Sequence, residues 1–166
     1  EAVRIVKLLD ELKTDPNFEN LSVGIITFYA KQVDEIFREA SKKGYTEQRA
    51  DGSYEITLPY RETNDGREKL RIGSVDSFQG KEFDIVILSI VRSNTISRTH
   101  ENYKKVYGFL TLENRLNVAF SRSQKLLIVV GDGEMLSDDF AKTYVEGLHE
   151  FYTNLSTNQQ YGNRIQ

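Results

Sequence analysis

Residues 72–91 read IGSVDSFQGKEFDIVILSIV, and the order of textures in this stretch decides the fold. Residues 69–75 predict a strand, 76–80 a short helix or turn, and 85–91 (IVILSIV) the most apolar strand of the chain. Ser74 lies near the end of the first strand, and between the strands sit Asp76, Ser77, Gln79, Gly80, Lys81, Glu82 and Asp84. A core strand has no use for that polar cluster, whereas a strand-end loop does. A strand that is apolar on both faces belongs to a parallel sheet covered on both sides.

The flanking sequence extends this pattern. Residues 2–12 (AVRIVKLLDEL) place Val3, Val6 and Leu9, and Ile5, Leu8 and Leu12, at helical spacing. Thr14-Asp15-Pro16-Asn17 breaks that helix. Residues 23–27 (VGIIT) predict a buried strand, and Tyr29 to about Lys43 a helix with Val33, Ile36 and Phe37 inward and Gly44 as its stop. Residues 45–69 carry turn signals at Asp51-Gly52-Ser53 and Thr63-Asn64-Asp65-Gly66 around an alternating Tyr54–Leu58 run; they read as a hairpin or insertion that decorates the main sheet. A polar loop with Arg98, His100, Lys104 and Lys105 is expected over 93–108, a helix over 112–120, a buried strand over 126–130 (LLIVV), a closing helix over 138–152 and a loose tail over 156–166. The whole predicts an α/β fold: a doubly wound, mostly parallel sheet with helices on both faces. One domain over 1–152 and a flexible tail over 153–166 follow. Functional residues are expected at the carboxyl ends of the strands.

Length and composition bound the function. The 166 residues leave room for one domain or two very small ones, and so exclude a machine with two complete nucleotide-binding lobes. With 39% hydrophobic residues the chain can build a core. Lys and Arg number 22 against 25 Asp and Glu, a net charge of −3. No global basic excess advertises nucleic acid, but a local basic patch can sit on an acidic domain. The absence of cysteine excludes disulfides, thiolate metal sites and cysteine nucleophiles, and fits a reducing compartment. The reading is cytoplasmic, with the nucleus as the eukaryotic alternative. Apolar runs fall far short of the ~20 residues of a membrane span. The chain opens Glu1-Ala2-Val3 without Met and is read as a piece of a longer protein.

Three segments could carry chemistry. In residues 74–84, Gly80 permits close approach to a ligand, Ser74 and Ser77 could donate to phosphate, and Glu82 could accept from a ribose hydroxyl. The alternative is an ordinary turn capped by Asp76. In residues 114–125 (NRLNVAFSRSQK), Arg115 and Arg122 are two helical turns apart and share a face if the helix reaches Arg122. An Arg there can present its planar fork to a phosphate, or simply pair with a carboxylate. In residues 27–32 (TFYAKQ), a hydroxyl and an aromatic at a helix start suit a phosphate or a stacked base, or core packing. No G-x-x-x-x-G-K-[ST] loop occurs. His100 and His149 form no metal-ligand pattern, so no metal site is expected.

Taken in order, these segments resemble the C-terminal RecA-like lobe of a superfamily 1 helicase, of the P-loop NTPase class, within the group that includes the nonsense-mediated-decay helicase and senataxin. Residues 23–32 (VGIITFYAKQ) are similar to motif IV, with Phe28 in place of its usual Pro. Residues 72–92 are similar to motif V, and 116–131 to motif VI, with Gln124 where many relatives carry a second basic residue. The resemblance spans about residues 1–152.

The resemblance implies ATP and Mg²⁺ held mainly by a preceding N-terminal RecA-like lobe, which would supply the P-loop. It implies that Arg122 reaches the γ-phosphate as an arginine finger and that Gly80 and Glu82 border the nucleotide. Gln79 would couple the nucleotide cleft to the nucleic-acid track, and Thr27, Tyr29, Ser74, Val75 and Asp76 would border single-stranded RNA or DNA. Movement would be 5′ to 3′, and this lobe alone would be inactive. The rival is a stand-alone, non-catalytic RecA-like module that binds nucleic acid or a protein.

Overall fold

The β-branched run Val23–Thr27 (β1) lies inside a four-stranded parallel sheet of order β4-β1-β5-β6, where β4 is Leu70–Ser74, β5 is Phe83–Ser89 and β6 is Ser123–Val130. The computed structural model describes residues 1–164. It divides them into two compact units, residues 1–91 with 118–130, and residues 92–117 with those from 131 onward.

In the first unit, Ile25 stands opposite Ile72 on one side and Ile87 on the other. This face, with Val23, Leu70 and Ile85, is covered by α1 (Ala2–Leu12) through Ile5 and Leu9, and by α2 (Ala30–Ser41) through Ile36 and Ala40. Each fully buried Val, Leu or Ile side chain among them contributes about 1.5–3 kcal/mol. The other face is built differently. The chain passes from the carboxyl end of β4 to the amino end of β5 over residues 75–82, through the 3-10 turn Val75–Phe78. Parallel strands usually need a crossover of about a dozen residues or more. Here the path is short because it lies flat on a glycine floor. A Cβ on Gly24 would come within 2.8 Å of the Phe78 ring, and one on Gly73 within 2.3 Å of Ser77 Oγ. The Phe78 and Phe83 rings pack together over that floor, 5.4 Å apart.

The run at 126–130 was expected to be buried, but β6 is the outer strand of the sheet. Leu126 is 45% exposed, and Leu127 to Val130 are only half-buried. An aliphatic run reports β structure but does not tell a central strand from an edge. The 45–69 segment does contain a hairpin, β2 (Thr46–Gln48) antiparallel to β3 (Tyr54–Ile56). It is more than a decoration, because its end re-enters the core. Lys69 is 1% exposed, bonds Glu19 at 2.5 Å, and stands over the Phe18 and Tyr60 rings.

The second unit is helical. The polar loop expected over 93–108 instead contains the 3-10 turn His100–Asn102 and α3 (Tyr103–Tyr107), anchored by buried Val106 and Tyr107. The helix α4 is Glu113–Phe120, of which residues 113–117 belong to this unit. The closing helix is two helices, α5 (Asp139–Tyr144) and α6 (Glu146–Thr153), interrupted at Val145, whose backbone leaves the helical region. Asp138 caps α5 by accepting from the Ala141 N–H at 2.9 Å. The Arg164 guanidinium stacks 3.8 Å from the Tyr152 ring centroid and donates to Ser156 Oγ at 3.0 Å. The last two residues of the expected tail lie outside the described residues.

Candidate functional site

The sheet separates the candidate residues into two groups at opposite ends of its strands. Thr27, Ser74 and Ser89 share one level at the carboxyl ends of β1, β4 and β5. Thr27 is fully buried, and its Oγ1 has no hydrogen-bond partner among the described residues. A buried hydroxyl without a partner costs about 1–3 kcal/mol, an expense that native folds rarely carry without a reason. Phe28 and Val75 are buried, Tyr29 and Ser74 half-buried, and Asp76 exposed. The Ser74 carbonyl accepts from Ser77 Oγ at 2.7 Å.

The exit of β5 is tied down by a residue that sequence reading passed over. Glu1 Oε2 accepts from Ser89 Oγ at 2.6 Å and from the Val91 N–H at 3.0 Å, and Gln32 Nε2 donates to Ser89 Oγ at 3.1 Å. Val91 has φ +58. That left-handed conformation costs a β-branched residue at least about 1–2 kcal/mol, and the Glu1 carboxylate holds it in place.

The second group lies at the amino ends of β5 and β6, away from the carboxyl ends where loop residues were expected. Because the crossover carries residues 75–82 the whole length of the sheet, Gly80 and Glu82 arrive beside the start of β5, next to the start of β6. There the Phe83 N–H donates to the Arg122 carbonyl at 2.9 Å. Arg122 is not on the helix, which stops at Phe120, so the condition for a face shared with Arg115 is not met. Its Nε donates to the Val118 carbonyl at 3.1 Å, Nη1 to the Lys81 carbonyl at 3.1 Å, and Nη2 to Ser121 Oγ at 2.9 Å. Among the described residues these acceptors are all neutral. The pairing with a carboxylate that would make Arg122 merely structural is therefore not what holds it. Its positive charge is positioned but not neutralised, which suits an incoming anion. Glu82 is exposed and accepts from Gln124 Nε2 at 2.8 Å. Gly80 has φ +74, and open space surrounds the position a Cβ would take. Gln79 is exposed on the crossover between the two groups.

Beneath this second group lies the strongest charge network of the unit. Asp84 is 2% exposed. Its Oδ2 accepts from the Ser22 N–H at 2.9 Å, Ser22 Oγ at 2.9 Å and Arg67 Nη1 at 2.8 Å, and its Oδ1 from Lys125 Nζ at 2.7 Å. The Asp84 N–H donates back to Ser22 Oγ at 2.9 Å. Burial pushes the carboxyl up, but the bonds from Lys125, Ser22 and Arg67 outweigh it and hold the group well below the usual carboxylate range. The signal was present in the sequence as a charged residue inside a buried apolar run; its partners, scattered from Ser22 to Lys125, were not legible. Among the described residues, no group of three or more His, Asp or Glu is placed to hold a metal ion, and no helix is long and apolar enough to cross a membrane.

Residues 1–134 match the family model described as AAA domain. The chain is 42% identical over 84 residues to the DNA polymerase alpha-associated DNA helicase A of Saccharomyces cerevisiae, covering 49% of this chain and 11% of that protein. It is 33% identical over 125 residues to the putative helicase MOV-10 of Gallus gallus, covering 75% of this chain and 11% of the relative. It is 44% identical over 72 residues to the regulator of nonsense transcripts 1 of Dictyostelium discoideum, covering 43% of this chain and 5% of the relative. The chain thus spans only about 5–14% of the length of the curated relatives it matches. The parallel α/β sheet and these matches agree: the chain belongs to the AAA domain family, as a superfamily 1 helicase domain related to the nonsense-mediated-decay helicase group.

Proposed function

We propose that this chain is the second motor lobe of an ATP-dependent helicase or translocase, with Arg122 as the arginine finger. The observation that carries the proposal is the Arg122 guanidinium, anchored by neutral oxygens and set beside Gly80 and the exposed Glu82. An arginine fixed in this way needs little reorganisation to meet charge that develops on a transferring phosphoryl group. Glu82 would accept from the ribose hydroxyls, and Gly80 would let the backbone approach the nucleotide. ATP and Mg²⁺ would be held mainly by the other lobe, and the triphosphate would supply the free energy for movement. Tyr29, Ser74 and Asp76, with Thr27 and Val75 behind them, would border the single strand at the opposite end of the sheet. Gln79 would couple the two. The lobe alone would not hydrolyse ATP.

The test is Arg122→Ala in the full-length protein, assayed for strand-stimulated hydrolysis. Loss of a transition-state contact of this kind lowers the rate at least ~10²-fold. Turnover within a few-fold of wild type would remove Arg122 from the finger role.

A further inference from the structure

The helical unit contains an aromatic ladder that runs from its core to its surface. Tyr107, fully buried, stacks on Phe140 at 5.7 Å; Phe140 meets Tyr144 at 4.7 Å; and Tyr144 stacks on Tyr103 at 4.5 Å with 16° between planes. His100 closes the outer end, 5.9 Å from Tyr144 and 6.2 Å from Tyr103, with its Nδ1 bonded to the Tyr144 hydroxyl. Tyr103 and Tyr144 are half-buried, His100 is exposed, and Lys104 Nζ stands 5.8 Å from the Tyr103 ring centroid. In a chain of net charge −3, residues 92–108 carry four cations, Arg92, Arg98, Lys104 and Lys105, against one carboxylate, Glu101. Arg98 is paired with Asp138, whereas the exposed Lys104 and Lys105 follow Tyr103 directly in sequence.

The geometry points to an auxiliary single-strand contact on this unit: one base stacks on the Tyr103–His100 end of the ladder while its flanking phosphates meet Lys104 and Lys105. Stacking on a rigid ring combined with adjacent cations is how proteins hold single strands without reading their sequence. The ladder makes the outer ring rigid, because Tyr103 is backed by rings that reach the buried Tyr107. This inference rests on the proposed helicase function, since it presumes a single strand as ligand.

The experiment measures equilibrium binding of single-stranded RNA and DNA oligonucleotides by the full-length protein across a salt series. Tyr103→Ala should weaken binding roughly tenfold, and Tyr103→Phe should stay within about twofold of wild type, because the ring is retained. Lys104→Gln combined with Lys105→Gln should flatten the slope of log K against log salt by about 1.4, or 0.7 per lost phosphate contact. These two side chains are exposed, so the double variant decides the matter even if Tyr103→Ala disturbs the unit. A photoreactive thiouridine strand should crosslink to the 100–105 segment. If wild type binds the strands and both the Tyr103→Ala and the double-lysine variants match it in affinity and slope, the auxiliary contact is overturned while the helicase reading stands. If wild type binds no single strand at low salt, both fall.

Discussion

Asp84→Asn removes one charge from the buried amino end of β5 and changes almost no volume. Asp84 accepts four hydrogen bonds, two of them from cations. With the amide oxygen in the Oδ2 position, the Ser22 bonds persist, but the Asn NH₂ then faces Lys125 Nζ, and the bond from Arg67 keeps its cationic donor but loses its anionic acceptor. A hydrogen bond to a charged group is worth about 1.5–3 kcal/mol, and breaking a buried ion pair about 3–5 kcal/mol. Both cations are well exposed, Arg67 at 43% and Lys125 at 62%, so they regain water when released. That places the cost near the low end, at about 2–3 kcal/mol. For a chain of this size the expected drop in melting temperature is roughly 4–12 °C, at about 2–4 °C per kcal/mol.

The same substitution changes the pH dependence, with a definite sign. The folded carboxyl sits below its ordinary value, so its stabilisation is fully present above about pH 4. It is lost progressively as the pH falls from there towards the lower folded value. Asp84→Asn should remove that part of the acid sensitivity, so the two proteins should converge in stability at low pH. Urea unfolding followed by circular dichroism at pH 7 and at steps down to pH 3 measures both effects. A variant within about 0.5 kcal/mol of wild type at pH 7, or one whose deficit stays constant down to pH 3, would refute the assignment of Asp84 as an ionised hub.

Gly24→Ala should destabilise by about 1–3 kcal/mol, because the new methyl would meet the Phe78 and Phe83 rings at 2.8 and 3.0 Å; amide exchange should quicken most over the crossover 75–82, and uniform exchange would count against the glycine floor. Tyr107→Phe tests the core end of the ladder. Burial, with the charge of Asp138 adding to it against the opposing charge of Arg98, pushes the Tyr107 phenol up to about 12. A raised folded value means stability that is complete below pH 10 and declines between there and about pH 12, so the variant should lose about 0.5–1.5 kcal/mol at pH 7 with its bond to the Met135 carbonyl, yet show a shallower alkaline decline. Parallel stability curves from pH 9 to 12 would refute the burial argument.

Much of the first unit was legible because it rests on short-range patterns. The strands announced themselves as β-branched runs, and α1 and α2 as periodic stripes. What escaped reading was set by long-range geometry. An aliphatic run could not show that β6 lies at the edge. The periodicity from Leu112 to Phe120 could not show that the helix ends before Arg122. The polarity of 93–108 hid α3, because Val106 and Tyr107 are too few to make a stripe. The Asp84 network was hidden for the same reason: its members are far apart in sequence and meet only when the strands pair.

The crossover was legible as a motif, but its path was not, and that path bears on how the proposed motor would work. In an ordinary parallel α/β unit the loops at one end of the sheet hold the site, and a helix returns the chain at a distance from it. Here residues 75–82 make the return themselves, pressed on Gly24 and Gly73. They start at Ser74, beside Thr27, and finish at Glu82, beside Arg122. Seven-residue β5 spans about 20 Å at about 3.3 Å per residue, so one short, flat-packed segment joins groups at that separation. A helix crossover would add rotatable packing between the ends; a segment seated on glycine has little room to deform. Under the proposed function, a displacement at the nucleotide end would therefore reach the strand end through backbone and two packed phenylalanine rings. Gln79, exposed midway, would be a sensor of that strut's position rather than its cause. A Gln79→Ala protein should then keep the stability of wild type while losing strand stimulation of hydrolysis, whereas Gly24→Ala should lose both. Equal losses of stability in the two variants would contradict this division of labour.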